Sequence, residues 1–262
     1  MESPWILPAL ALPLLSGVMA WVWWRQRATG NAGAVDLVWT ASIGFLAVAY
    51  AMASPGWLPR RVLVAVLVGA WSARLSAHLW IRLRTEREDG RYAALRRTLG
   101  ARFDLWIFWF FQVQAVLAVV LSLLFLPLVQ LELPGWRVWD LVAVALWVVS
   151  IAGETLADGQ LRAWRSDPAN AGRTCRRGLW GYSRHPNYFF EWLHWLVYPV
   201  LGIGLPYGAL LWGAPALMLY LILKVTGIPP TEEQSLRSRG ADYRAYMRTT
   251  NAFFPGPPRA AS

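Results

Sequence analysis

Long apolar runs recur through this chain, and their length limits the folds open to it. Seven stand out, at about 5–24, 34–52, 62–81, 105–127, 138–157, 187–204 and 208–225. A helix needs about 17–25 mostly apolar residues to cross a bilayer core. Lipid offers the backbone no hydrogen-bond partners, so each crossing must satisfy its own N–H and C=O groups by being helical. The sequence therefore predicts an all-α fold, a polytopic membrane helix bundle with about seven transmembrane helices. The polar remainder is loops plus a tail at 226–262, so residues 1–262 read as one integral membrane domain. The hydrophobic content of 56% exceeds the roughly 45–50% of soluble domains. In the first run the positive residues Arg25 and Arg27 follow the apolar stretch. A secretory signal has them in front, so this run reads as a retained first helix.

Charge sets the expected orientation. Lys and Arg total 25, Lys224 is the only lysine, and the net charge is +10. With the N-terminus outside, 21 cations fall in inner segments; Arg60, Arg61 and Arg137 lie outside, and Arg74 lies within the third run. Positive residues accumulate on the cytoplasmic side of membrane proteins. The expectation is N-out/C-in, with polar segments 82–104, 158–186 and 226–262 sharing the cytoplasmic face. In so apolar a chain, the basic balance points to membrane lipids or an anionic ligand and away from nucleic acid. No feature marks an obligate protein partner. Cys175 is the sole cysteine, which rules out an intrachain disulfide. Its neighbours Arg173, Arg176 and Arg177 are of the kind that lower a thiol pKa.

Ionisable residues inside membrane helices are costly and point to function or to a buried pair. Asp36 opens the second run. Arg74 and His78 are four residues apart in the third run, as are Glu154 and Asp158 at the inner end of the fifth. In the sixth, Asn187, Glu191 and His194 follow i, i+4, i+7, which is one helical face. Upstream, "DGQLRAWRSDPANAGRTCRRGLWGYSRHP" supplies Arg162, Arg165, Arg173, Arg176, Arg177 and Arg184. Arginine binds phosphate bidentately, so the cluster suits a diphosphate or ribose phosphate; membrane-surface arginines are the alternative. Pro186 fits the first turn of a helix, whose N-terminus favours anions. Asp158 can accept from a ribose hydroxyl. No glycine-rich nucleotide motif is present.

The tail predicts two short helices. "PTEEQSLRSRG" has an early Pro and acids, late arginines and a closing Gly. "ADYRAYMRTT" puts Tyr243 and Tyr246 on one side, either as interfacial anchors or as a lid.

The motif "GLWGYSRHPNYFFEW", preceded by "ETLADGQLRAWR" and followed by "TGIPPTEEQSLRSRGADYRAYMRTTNAFFP", resembles the bacterial branch of the steroid 5α-reductase-like superfamily. That superfamily includes the sterol C14-reductases and, more distantly, the isoprenylcysteine carboxyl methyltransferases. The resemblance runs from about Glu154 to Pro255 and extends over 31–92 through "AVDLVW" and "ARLSAHLWIRLRTEREDGRY". It implies an NADPH-dependent reductase of an enone-type C=C bond in a steroid-like or other lipidic substrate that enters from the bilayer. It also implies a multi-pass protein of the bacterial inner membrane with its active site facing the cytoplasm.

By the same resemblance, Asn187 and Glu191 hold the nicotinamide, and Asp158, Arg162 and Arg165 face the adenosine and phosphate. Arg173, Tyr182 and Arg184 line the loop over the diphosphate, with His185 at its mouth. Arg74 and His78 face the cofactor from the third helix, while Glu232, Arg239 and Tyr243 cover it. Candidate catalytic acids are Glu191, His78, Tyr182 and Asp36, with His194 beside them. The chain departs from the animal enzymes in two ways. Asp36 is the only acid of the second run, and Trp71 stands where the steroid-gripping aromatic is expected. Phe190 also replaces the glycine usual in the bacterial branch. The alternatives are an S-adenosylmethionine-dependent membrane methyltransferase acting on lipid or prenyl-thiol substrates, and a non-enzymatic assembly factor or transporter.

Overall fold

The computed structural model describes residues 5–85, 88–132 and 134–259. These are 81% helical, with no strand among them. Six stretches are long and apolar enough to cross a membrane: Ile6–Thr29, Ala34–Ala53, Leu58–Thr85, Gly90–Val129, Val138–Ser166 and Gly208–Thr249. The protein is thus all-helical, and its apolar helices fit an integral, multi-pass membrane bundle. The sixth sequence run forms a helix of only 16 residues, Pro186–Leu201, below the usual crossing length. The chain divides into two compact units, Met1–Trp136 and Arg137–Ser262.

The first unit contains α1 (Ile6–Thr29), α2 (Ala34–Ala53), α3 (Leu58–Thr85), α4 (Gly90–Leu99), α5 (Phe103–Ser122) and α6 (Leu126–Val129). Its most extensive contact joins α2 to α3. A Cβ on Gly44 would lie 2.2 Å from the Ser72 hydroxyl, so only glycine lets these helices approach so closely. Ser72 Oγ donates to Thr40 O across the contact at 2.9 Å. Tyr50 and Ser122 hydroxyls join α2 to α5 at 3.0 Å. Helix α4 lies inside the polar 82–104 segment, where no apolar period marks it. It starts because Asp89 accepts from Arg91 N at 2.9 Å, the usual N-cap device.

The second unit contains α7 (Val138–Ser166), α8 (Pro186–Leu201), α9 (Gly213–Tyr220) and α10 (Ile228–Thr249). The last sequence run, 208–225, is one eight-residue α-helix between a 3₁₀ stretch and a π turn. The two tail helices are present and fused into α10, with a kink at Gly240 (φ 48°). Only a glycine takes that backbone angle without strain. Helix α10 carries Glu232, Glu233, Arg237, Arg239, Asp242, Arg244 and Arg248. It belongs to the polar tail, and the apolar part of its stretch ends before Glu232.

The core of this unit is the long contact between α7 and α8. Asn187 Nδ2 donates to Asp158 Oδ1 at 3.3 Å, and the Phe190 ring lies on Gly153, whose added Cβ would meet it at 2.3 Å. At the far end, Arg137 staples the pair by donating to Leu201 O at 2.6 Å and Ile203 O at 2.8 Å. Gly153→Ala should therefore overpack the interface and destabilise the protein by about 1–3 kcal/mol. Thermal unfolding in detergent measures this, and adding Phe190→Ala should recover most of the loss.

Candidate functional site

The loop between α7 and α8 is built by side chains reaching its backbone. Gln160 Oε1 accepts from Leu179 N at 2.9 Å, and Trp180 Nε1 donates to Ala157 O at 2.9 Å. Gly178 (φ 57°) turns directly above Gln160, leaving no room for a Cβ. From α10, Asp242 accepts from Thr174 N and Arg176 Nη2, both at 2.7 Å. Tyr246 donates to Trp180 O at 2.5 Å and Ser183 O at 3.1 Å. Tyr243 and Tyr246 are both buried, so the second half of α10 straps the loop down, and neither ring is an exposed anchor.

The centre of the strap is Glu232. Its Oε1 accepts from Arg184 Nε at 2.6 Å, His185 Nε2 at 3.2 Å and Tyr243 OH at 3.4 Å. Arg184 Nη1 also donates to Thr250 O at 2.6 Å and Met247 O at 3.2 Å. Its guanidinium therefore holds the tail. His185 stacks on Tyr188, with ring centroids 5.4 Å apart, in the same knot. Burial pushes the His185 pKa below 6.5, with the Glu232 hydrogen bond opposing. Burial alone would raise the Glu232 pKa; the hydrogen bonds from His185 and Arg184 outweigh it and bring it down to about 2.

A second cluster gathers arginines from three segments. The Cys175 thiol lies within electrostatic reach of Arg177, Arg165 and Arg239, and Arg239 also feels Arg165. Burial nevertheless raises the Cys175 pKa. This reverses the expectation from its basic neighbours: they are near, but the thiol is shut off from water. Arg239 caps the face of Tyr243 at 5.1 Å and donates to Ser235 Oγ at 2.5 Å. Its Nε is buried with no acceptor among the described residues. Arg177 lies over the Trp164 ring at 5.2 Å. Arg162 and Arg173 are exposed.

Asp158 and Asn187 meet directly, at 3.3 Å. One turn further along α8, Glu191 Oε1 accepts from Trp195 Nε1 at 2.9 Å. His194 is buried and bonded to the Tyr198 hydroxyl at 2.8 Å. Tyr182 is exposed, with its carbonyl accepting from Gly256 N. Asp36, Arg74 and His78 belong to the first unit. Asp36 accepts from Tyr92 OH at 3.0 Å and faces Arg91 at 3.5 Å. Arg74 and His78 are half-buried on α3, and Trp71 is fully buried there.

Within the second unit, the fold brings together Arg184, His185, Glu232 and Tyr243, sets Arg165 within electrostatic reach of Arg239, and pairs Asp158 with Asn187. Sequence reading missed Gln160, Ser183 and Asp242, which shape the loop. Of these only Asp242, an acid amid tail arginines, carries a visible signal.

Residues 21–250 match a family described as proteins of unknown function, DUF1295, and the chain belongs to that family. It is also 28% identical over 274 residues to uncharacterized protein C594.04c of Schizosaccharomyces pombe, a likeness spanning 92% of this chain and 78% of that protein. No solved structure matches it.

Breaking a buried ion pair from one side costs about 3–5 kcal/mol, and the Arg184 and Glu232 side chains are only 10% and 14% exposed. Arg184→Ala should therefore unlatch α10, seen as faster amide exchange across 228–250. Acid should act on the same knot. Both folded-state pKa values are depressed, so the folded state loses stability as pH falls. The loss begins below 6.5 through His185 and continues from 4.5 toward about 2 through Glu232. Melting temperature measured against pH should drop over that range, and Glu232→Gln should flatten the lower part.

Proposed function

We propose that the protein is an NADPH-dependent reductase of an enone-type C=C bond in a steroid-like or other lipidic substrate. The supporting observation is that Arg165, Arg177 and Arg239, from three segments, all lie within electrostatic reach of the Cys175 thiol, with the buried Arg239 Nε lacking an acceptor among the described residues. Like-charged guanidiniums drawn together suit a multiply charged anion. Seven residues before Arg165 on α7, Asp158 meets Asn187, a polar pair suited to the uncharged parts of a nucleotide. The superfamily resemblance supplies the chemistry, and the DUF1295 family supplies no function of its own.

In this proposal the bound cofactor supplies a hydride. Arg162, Arg165, Arg173, Arg177 and Arg239 take its phosphates, and Asp158 a ribose hydroxyl. Asn187 and Glu191 hold the nicotinamide amide. Tyr182 and His185 border the entrance, and Glu232 and Tyr243 fix the covering helix. Arg74, His78 and Asp36 are assigned by resemblance alone. Among the candidate acids, Glu191 shares a helix face with Asn187, and we assign it the task of orienting the reacting end. The substrate arrives from the bilayer.

The proposal also takes the chain as N-out/C-in with seven crossings, in a bacterial inner membrane with its site facing the cytoplasm. The charge split supports this. The three cations on the outer side are also bound to helix-end carbonyls: Arg61 to Ala51 O and Met52 O, Arg60 to Leu128 O, and Arg137 to Leu201 O and Ile203 O.

Purified protein should bind NADPH, and Asn187→Ala or Glu191→Ala should weaken that binding. A hydrogen bond to a charged group contributes about 1.5–3 kcal/mol, so Arg165→Gln and Arg239→Gln should each cost roughly tenfold or more. Titration with NADPH and with S-adenosylmethionine separates the readings. Binding of S-adenosylmethionine alone would move the protein to the methyltransferases, whose Arg-His-Pro helix start and acidic tail helix the Arg184–His185–Glu232 knot equally resembles.

A further inference from the structure

One end of the first unit collects most of the charged side chains among that unit's described residues. Arg96 Nη2 reaches Gln26 Oε1 at 3.1 Å and Gly30 O at 3.4 Å, which ties α4 to the end of α1. Arg27 meets Asp104 at 3.3 Å, tying α1 to the start of α5. Asn31 and Gly33 line a small cavity with Leu79, Arg82 and Leu83, which sets the end of α3 beside the α1–α2 turn.

The described acids at this end are all engaged. Asp104 pairs with Arg27, Asp89 with Arg82 and Arg91, Asp36 with Arg91, and Glu88 with Arg96. Arg25, Arg84, Arg97 and Arg102 remain. All four are exposed, and none has an acid within ion-pair reach among the described residues. Two of them lie on tryptophan faces one helical turn earlier: Arg25 over Trp21 at 5.8 Å and Arg84 over Trp80 at 4.3 Å. Trp24, Trp106 and Trp109 are also exposed on these helices.

Tryptophan settles at the level of lipid headgroups and glycerol. An arginine stacked on it and lying nearer the helix end is held at phosphate height. Arginine grips phosphate through two parallel hydrogen bonds. We infer that this end of the first unit is a docking surface for anionic phospholipid headgroups, with Arg25, Arg84, Arg97 and Arg102 as the phosphate ligands and Trp21 and Trp80 as their supports. The charge balance selects the occupant: among the described residues four exposed cations are left over after ion pairing, beside aromatic groups of the kind that sit at a bilayer surface. The reductase reading assigns none of these four arginines to the cofactor, so the two proposals can fail separately.

The test offers full-length protein in detergent equal amounts of phosphatidylglycerol and phosphatidylcholine, with bound lipid counted by native mass spectrometry. Wild type should retain phosphatidylglycerol preferentially. A basic residue at a membrane surface strengthens anionic binding by roughly fivefold. The paired variants Arg25→Gln/Arg84→Gln and Arg97→Gln/Arg102→Gln should each lose most of the preference, while the same positions changed to Lys should keep most of it. No preference in wild type, or an undiminished preference in both Gln variants, would overturn the inference. A phosphatidylglycerol with a photoreactive headgroup tests it without substitution. Crosslinks should map to 21–25, 80–84 or 97–106, and crosslinks confined to other segments would also overturn it.

Discussion

A backbone carbonyl at the end of a helix has no partner in its own helix, and near a bilayer water is a poor substitute. Much of this structure follows from how that need is met. The chain answers it repeatedly with arginine. Arg61 covers the end of α2, Arg137 covers α8, Arg184 covers α10, and Arg96 reaches the turn after α1. In each case a guanidinium reaches in from another segment, so satisfying one helix end also fixes the position of a second element. The near absence of lysine suits this use, since a planar fork can serve two carbonyls at once and an ammonium acts as a point charge.

The same need decides what the arginines of the α7–α8 loop can do. Arg184 and Arg176 are committed to the tail, one through Glu232 and two carbonyls, the other through Asp242. They set the shape of the loop. Arg165, Arg177 and Arg239 all lie within electrostatic reach of the Cys175 thiol, and Arg239 keeps a buried Nε with no acceptor among the described residues. Arginines that look equivalent in sequence therefore differ in the structure, with Arg184 and Arg176 forming part of the scaffold.

The sequence made the apolar helices legible because their signal is local: each run carries its own length and hydropathy. The tail helices are legible for a similar reason, and the break falls at Gly240, the glycine that closes the first of them. Helix α4 was not, because Asp89 and several ion pairs hold it, and no apolar stripe does. The role of Arg184 was also hidden. Its partner Glu232 lies 48 residues away, and whether a guanidinium faces a ligand or a carbonyl depends on how the tail returns. Helical spacing grouped Asn187 with Glu191 and Asp158 with Glu154, but the Asn187–Asp158 contact itself came only from the packing of α7 on α8. Gly153 gave no warning at all, since a glycine in an apolar helix has no chemistry to notice.

That glycine and Phe190 share one parcel of space across two helices. In a chain with glycine at position 190, the ring-sized volume above α7 would pass to whatever else reached it, whether a larger residue at 153 or a bound molecule. Here the protein fills that volume itself. The wall between the two helices is thereby made solid at the level just inside the Asp158–Asn187 pair, so a guest lying along α8 must find its room on another side.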